Sequence, residues 1–188
     1  MNIIRGIAAI PSGLNRSVVT IGNFDGVHLG HQQLLKRVIK RASEINGNSV
    51  VITFEPHPVK VLRPDKAPHQ LISLQEKIEL FQSYGINVVI CIEFTPQFAG
   101  KSPDEFIDEI LCKKIGVKVI IVGANYKFGK GQSGDINYLR TKGKILGFEV
   151  EVIEPVEIKG GRVSSSRIRE HLINGEVDIA AGLLGRYY

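Results

Sequence analysis

The sequence predicts an α/β fold, a five-stranded, mainly parallel sheet with helices on both faces. Three observations predict it. Short β-branched runs alternate with amphipathic stretches of ten or more residues, and such long connections join parallel rather than antiparallel neighbours. The helical stretches open on capping signals and stop at glycines. At 188 residues, with no internal repeat, low-complexity tract or composition shift, the chain suits one buried core.

The first strand begins at Val18 and breaks at Gly22, Gly26 and Gly30, with His28 and His31 in the turn. A helix follows over 32–45, where Leu34, Leu35, Val38, Ile39 and Ala42 fall on one face. Ser49–Phe54 is the second strand, closed by Glu55-Pro-His-Pro58 and a loop to about Gln70 rich in proline and charge. Ser73-Leu-Gln-Glu76 reads as a capping box, and its helix runs to Tyr84 and stops at Gly85. Val88–Phe94 is the third strand. Ser102-Pro-Asp-Glu105 supplies an N-cap, a proline at the first helical position and a glutamate at the third, for a helix to about Lys114. Lys118–Val122 is the fourth strand, with the loop Gly123–Gly131 after it. A helix over 135–146 precedes a fifth strand, Glu149–Ile158, and a turn at Lys159–Gly161. Ser164–Ser166 lead into another helix, and a short helix near Val177–Leu184 follows. The loops after strands one, two, four and five share the C-terminal edge of the sheet, where such sheets bind ligands.

Composition excludes several classes. The chain is 43% hydrophobic and 23% charged, and no apolar run approaches the roughly 18 residues of a membrane span. The first residues, Met-Asn-Ile-Ile-Arg-Gly-Ile, lack the layout of a signal peptide, so a cytoplasmic protein without membrane partners is expected. Cys91 and Cys112 lie far apart inside apolar elements and read as free thiols, and without secretion the Asn15-Arg-Ser17 sequon carries no meaning. The net charge of +5 favours anionic ligands, but its lysines and arginines are scattered, so no nucleic-acid partner is expected. Protein partners are not legible.

The opening turn lacks G-x-G-x-x-G and G-x-x-x-x-G-K-[ST]. Gly100-Lys-Ser102 imitates the end of the second motif, but Thr95 stands where its first glycine belongs and Pro103 follows. The residues alone leave three readings of His28 and His31: metal ligands short of a third partner, helix-start side chains bonded to backbone, or phosphate binders on one helical face. Glycines that let a phosphate approach the backbone, at the positive end of a helix, favour the last.

His28-Leu-Gly-His31 resembles the signature of the HxGH nucleotidyltransferases, and Gly22-Asn-Phe-Asp-Gly-Val-His-Leu-Gly-His-Gln32 resembles the adenylyltransferase domain of bacterial FAD synthetases within them. Phe54-Glu-Pro-His-Pro58, Gly123-Ala-Asn-Tyr-Lys-Phe-Gly129 and Arg162-Val-Ser-Ser-Ser-Arg-Ile-Arg169 match that family in order, so the resemblance covers essentially the whole chain. Two departures stand out: Ser164-Ser-Ser166 replaces the commoner Ser-Ser-Thr, and Ala124 stands where the family often has an acidic residue. The resemblance implies a Rossmann-like three-layer nucleotidyltransferase fold over residues 1–185. Residues 186–188 would begin a linker to a riboflavin kinase domain outside this chain, and no kinase activity is expected of these residues.

The implied reaction is ATP + FMN → FAD + pyrophosphate with Mg2+, by in-line attack and without a covalent enzyme intermediate. The alternatives are a cytidylyl- or pantetheine-phosphate transferase of the same superfamily, or a non-catalytic nucleotide-binding module. By the resemblance, His28, His31, Asn125, Arg162, Ser165 and Ser166 are the catalytic set. Gly22, Asn23, Phe24, Asp25, Gly30, Ser164 and Arg169 would hold ATP, and Pro56, His57, Pro58, Asn125 and Phe128 the flavin. No protein metal ligands are assigned. Three points remain open in the sequence. Asp25 either shapes the turn or orients magnesium, the serines alone would pass for an N-cap, and Arg167 would pass for a solvated helix face.

Overall fold

Strand β2 (Ser17–Ile21) is buried at every residue. A strand covered on both faces reads as a continuous apolar run rather than an alternating one, as expected at the centre of a parallel sheet. The computed structural model describes residues 1–11, 14–158 and 160–188. It places β2 between β3 (Asn48–Glu55) and β5 (Val117–Gly123). The full order is β1-β4-β3-β2-β5-β6, with β1 (Asn2–Arg5), β4 (Val88–Glu93) and β6 (Glu149–Ile153), all neighbours parallel.

The sheet thus has six strands, not five. The addition is the four-residue edge strand β1, which pairs Asn2–Arg5 with Val88–Cys91. The expected strand over 149–158 is divided. Its end, β7 (Glu157–Ile158), forms a separate antiparallel pair with β8 (Gly161–Arg162), and the expected turn residue Lys159 lies outside the described residues.

Helices α1 (Leu29–Glu44) and α3 (Leu74–Tyr84) cover one face through Leu35, Val38, Ala42, Ile78 and Phe81. The other face carries α5 (Pro103–Glu105), continuing as a π-helix over Phe106–Lys114, and α6 (Ile136–Leu146). The wider winding of the π-segment shows in the bond from the Ile115 N–H to the Ile110 carbonyl, 3.0 Å. The two loops on either side of α3 carry short helices that the sequence did not reveal, α2 (Pro58–Leu62) and α4 (Pro96–Ala99). Helices α7 (Ser165–Ile173) and α8 (Val177–Leu184) form a third cluster with Leu71 and Val163.

The chain passes from β2 outward through β3 to β4, then returns to place β5 on the other flank of β2. Loops leaving β2 and β5 therefore diverge, and a crevice opens between their C-terminal ends. The expected site falls there.

Candidate active site

The turn after β2 is held in a shape that few sequences tolerate. Phe24, Gly26 and Val27 all have positive φ, at 50°, 81° and 40°. A Cβ on Gly26 would also lie 2.8 Å from Leu71, so glycine is required there twice over. The turn's carbonyls are tied back to the protein. Gln32 Nε2 donates to Val27 O (2.9 Å) and Leu184 O (2.7 Å), and Arg186 donates to Gly26 O (2.8 Å) and Val27 O (3.4 Å).

His28 is the N-cap of α1, and its Nδ1 accepts the His31 backbone N–H at 3.3 Å. An accepting Nδ1 is unprotonated, so the neutral ring carries its proton on Nε2. Gly30 lets the imidazole lie over the helix end, since a Cβ there would come within 3.3 Å of it. The His31 ring stacks on His28 with centroids 3.6 Å apart and 15° between planes. His31 is half-buried, and its Nδ1 lies inside without a hydrogen-bond partner.

Both rings are neutral at physiological pH. Burial lowers the His28 pKa to about 4, with Arg162 adding to it, against the opposing pull of a backbone hydrogen bond at His28 and of Asp25. Burial, then His28, then Lys77 depress His31 well below its ordinary value.

A second helix end meets the first. Ser164 caps α7 by accepting the Arg167 N–H at 3.3 Å, and Val163 O lies 3.9 Å from where a Gly30 Cβ would sit. Two positive helix ends thus approach one place, where an anion gains from both. Of the three serines, Ser164 is committed to the cap and Ser165 donates to the Asp25 carbonyl at 2.8 Å, whereas Ser166 is exposed. Arg162 is exposed and forms no ion pair among the described residues, and its charge reaches His28.

The structure gives other expected contacts framework roles. Phe24 is 1% exposed, its ring edge-on to His31 (5.1 Å) and Phe81 (5.5 Å). Asp25 is buried, accepting the Leu71 N–H at 2.9 Å and pairing with Arg169, whose Nε also donates to His69 O at 2.7 Å. Its carboxylate joins the turn, the approach to α3 and helix α7. Arg169 serves Asp25 rather than standing free as a clamp. Arg167 is a hairpin fastener, donating to Ile158 O (3.0 Å) and Gly161 O (2.8 Å).

Beside the turn lies a cavity of about 580 Å³. Gly22 and Asn23 form part of its wall, so the turn that carries the histidines also borders the cavity. Thr53 holds the Asn23 carbonyl at 3.3 Å. Pro58, Asn125 and Phe128 line the cavity as expected. Pro56 and His57 do not: His57 is buried as the N-cap of α2, its Nδ1 accepting the Val59 N–H at 3.2 Å. The sequence reading missed most of the aromatic wall, Phe54, Phe94, Phe98, Phe106 and Tyr126. These rings contact one another in a chain, with centroids 5.6 Å apart for Phe54–Phe94 and for Phe94–Phe98, and Tyr126 stacks on Phe128 at 14°. Their signal was present in the apolar residues closing β3 and β4, which read equally well as core. Arg63, Lys101 and Lys127 add positive charge to the wall, which therefore suits a flat apolar ring system bearing an anionic group.

Among the described residues no three His, Cys, Asp or Glu side chains group as a metal site.

A family model described as FAD synthetase matches residues 10–167. The chain is 38% identical over 187 residues to a bifunctional riboflavin kinase/FMN adenylyltransferase of Buchnera aphidicola, covering 99% of this chain and 60% of that protein. The chain therefore spans about 60% of the length of the curated relatives it matches. A crystal structure described as a macrolide-efflux protein from Streptococcus pneumoniae superposes with a TM-score of 0.85 at 29% identity, covering 98% of this chain and 61% of that one. Pantoate-beta-alanine ligase from Francisella tularensis shares the fold, with a TM-score of 0.61 at 17% identity over 98% of this chain and 78% of its own. No helix among the described residues is long and apolar enough to cross a membrane.

Proposed function

The chain belongs to the FAD synthetase family, and from that footing we propose that it transfers AMP from ATP to FMN, giving FAD and pyrophosphate. Of the two activities named for its curated relatives, this assigns the adenylyl transfer to these residues. One observation carries the reading: a phosphate crevice with paired histidines and an aromatic cavity share the turn Gly22–His28. A nucleotide's triphosphate in the first and a flavin in the second would bring their phosphates together at that turn.

A phosphate oxygen of FMN attacks the α-phosphorus of ATP. The new P–O bond forms as the bond to the β-phosphate oxygen breaks, and the electron pair leaves on pyrophosphate. No protein nucleophile is needed, so catalysis is positioning and charge stabilisation. The Nε2–H of His28 donates to a phosphate oxygen, and the exposed edge of His31 lies beside it. Arg162 meets the charge that moves to the leaving group, and the ends of α1 and α7 contribute their dipoles, each a term of about 1 kcal/mol or less. Ser166 is the serine whose hydroxyl is available for the outer phosphates. Magnesium, when bound with the nucleotide, would supply charge neutralisation at its phosphates, and no residue of this chain is assigned to hold it. The free thiols Cys91 and Cys112 suit the reducing cytoplasm, where we place the protein.

The test mixes the purified chain with ATP, FMN and magnesium and quantifies FAD and pyrophosphate. Stoichiometric formation of both is expected. No FAD, with turnover of CTP or of pantetheine phosphate instead, would overturn the assignment within the superfamily.

A further inference from the structure

Lys77 is 2% exposed, although a lysine is almost never buried unless paired. It forms no ion pair or side-chain hydrogen bond among the described residues. It lies just inside α3, one residue past the capping box in which Ser73 and Glu76 satisfy each other's groups. That end of α3 is the one that follows Leu71, whose N–H binds Asp25.

The helical repeat fixes what Lys77 faces. Phe81, four residues on, shares its face and packs edge-on against Phe24, which in turn packs against His31. Helical side chains lean toward the helix N-terminus, so Lys77 extends from the Phe81 level toward the catalytic edge of the sheet. There its charge acts on His31 and His57, while the carboxylates of Asp25 and Glu55 and the Cys91 thiol act on it in return. Burial works against its charged form and the two carboxylates work for it. The buried, unpartnered Nδ1 of His31 belongs to the same interior region.

We propose that Lys77 is a positioning residue for the proposed reaction: a buried lysine behind the Phe81–Phe24–His31 chain of rings whose charge attracts the nucleotide's phosphates. The proposal rests on the adenylyltransferase reading. Asp25 is engaged by Arg169 and by the Leu71 amide, so the Lys77 charge is not cancelled by a partner of its own. At 2% exposure such a charge is screened less than that of a surface lysine when a phosphate approaches. A lysine kept only for structure would have no reason to be a lysine, because an apolar side chain of the same length would bury at lower cost.

The test is Lys77→Met, which preserves length and removes the charge. ATP with magnesium, without FMN, is titrated calorimetrically into wild type and variant, FMN is titrated separately, and thermal midpoints are recorded. The expected result is an ATP affinity about tenfold weaker. FMN affinity changes by less than about threefold, and the midpoint is unchanged or higher, since a buried charge has been removed. An ATP affinity within about twofold of wild type overturns the proposal. So does a lower midpoint with ATP and FMN binding lost together, which marks a structural role. A wild type that binds ATP but forms no FAD overturns the proposed function alone, and the ATP comparison still decides Lys77. A wild type that binds no ATP overturns both.

Discussion

The two stacked imidazoles make stability depend on pH in a calculable way. Folding lowers the His28 pKa from its ordinary 6.5 to about 4, chiefly by burial. Between those values the unfolded chain holds a proton that the folded chain does not, so stability rises with pH. The contribution is complete above pH 6.5 and is lost as pH falls toward 4. At pH 5 the linkage integral for this one group is about 2 kcal/mol, and about 3 kcal/mol when titration is complete. His31 and His57 are depressed too and push in the same direction. Replacing His28 by Gln isolates its share, since the amide oxygen can accept the His31 N–H and cannot titrate. Urea unfolding of both proteins at pH 7.5 and pH 5 should show wild type losing about 2 kcal/mol more than His28→Gln over that interval. Relief of His31, whose ring His28 also depresses, can only widen the gap. Equal losses in the two proteins would mean that the His28 ring is not held neutral by burial, and the reading of it as a neutral donor would fall with it.

Three substitutions test the rest of the site. His31→Ala should lower turnover at saturating ATP by at least about tenfold, as for a lost transition-state contact, and an unchanged rate would remove the ring from the chemistry. Phe98→Ala opens the aromatic wall where Phe98 meets Phe54, Phe94 and Phe106. Steady-state kinetics should show the KM for FMN raised about tenfold with that for ATP unchanged, whereas a rise for ATP alone would assign the cavity to the nucleotide. Arg186→Ala removes the bonds to the Gly26 and Val27 carbonyls. It should cost about 1–2 kcal/mol in urea unfolding, allowing for the partial exposure of the guanidinium, and raise the KM for ATP, while no change in either would show that the turn holds its shape unaided.

The sequence made the central strands and every long helix legible because their signals are local: capping boxes at Ser73 and Ser102, and β-branched runs ending at glycine or proline. Strand β1 was not legible, because Asn-Ile-Ile-Arg is too short to show a period and owes its pairing to β4, more than eighty residues away. Helix α2 was hidden by Pro58, which reads as loop after a histidine yet suits a first helical turn. Within the site, the motifs located the histidines, the serines and Asn125. They could not show that Ser165 and Arg169 are committed to Asp25, because those bonds join residues 140 and 144 positions apart. The cavity wall was missed for a different reason. Phe54, Phe94 and Phe98 carry the same sequence signal whether they face a core or a ligand, and only the sheet order brings the ends of β3 and β4 beside the turn.

Asp25 explains why the site can be both positive and rigid. A carboxylate beside a phosphate crevice would repel its ligand if left free, yet its charge here is matched by Arg169 and a backbone amide. Its carbonyl meanwhile fixes Ser165 at the entrance to α7. One residue therefore ties three elements together at the cost of the Arg169 charge. In the proposed reaction, attraction for phosphate is then left to Arg162, to the Lys77 charge, to two helix ends and to neutral imidazole donors. Neutral donors suit the proposed chemistry. Substrate and pyrophosphate are both polyanions, and many charged contacts would hold the product as firmly as the substrate, so few cations beside neutral donors suffice. Stacked histidines at 3.6 Å would repel each other if both were charged, so their contact adds to burial in keeping them from being charged together.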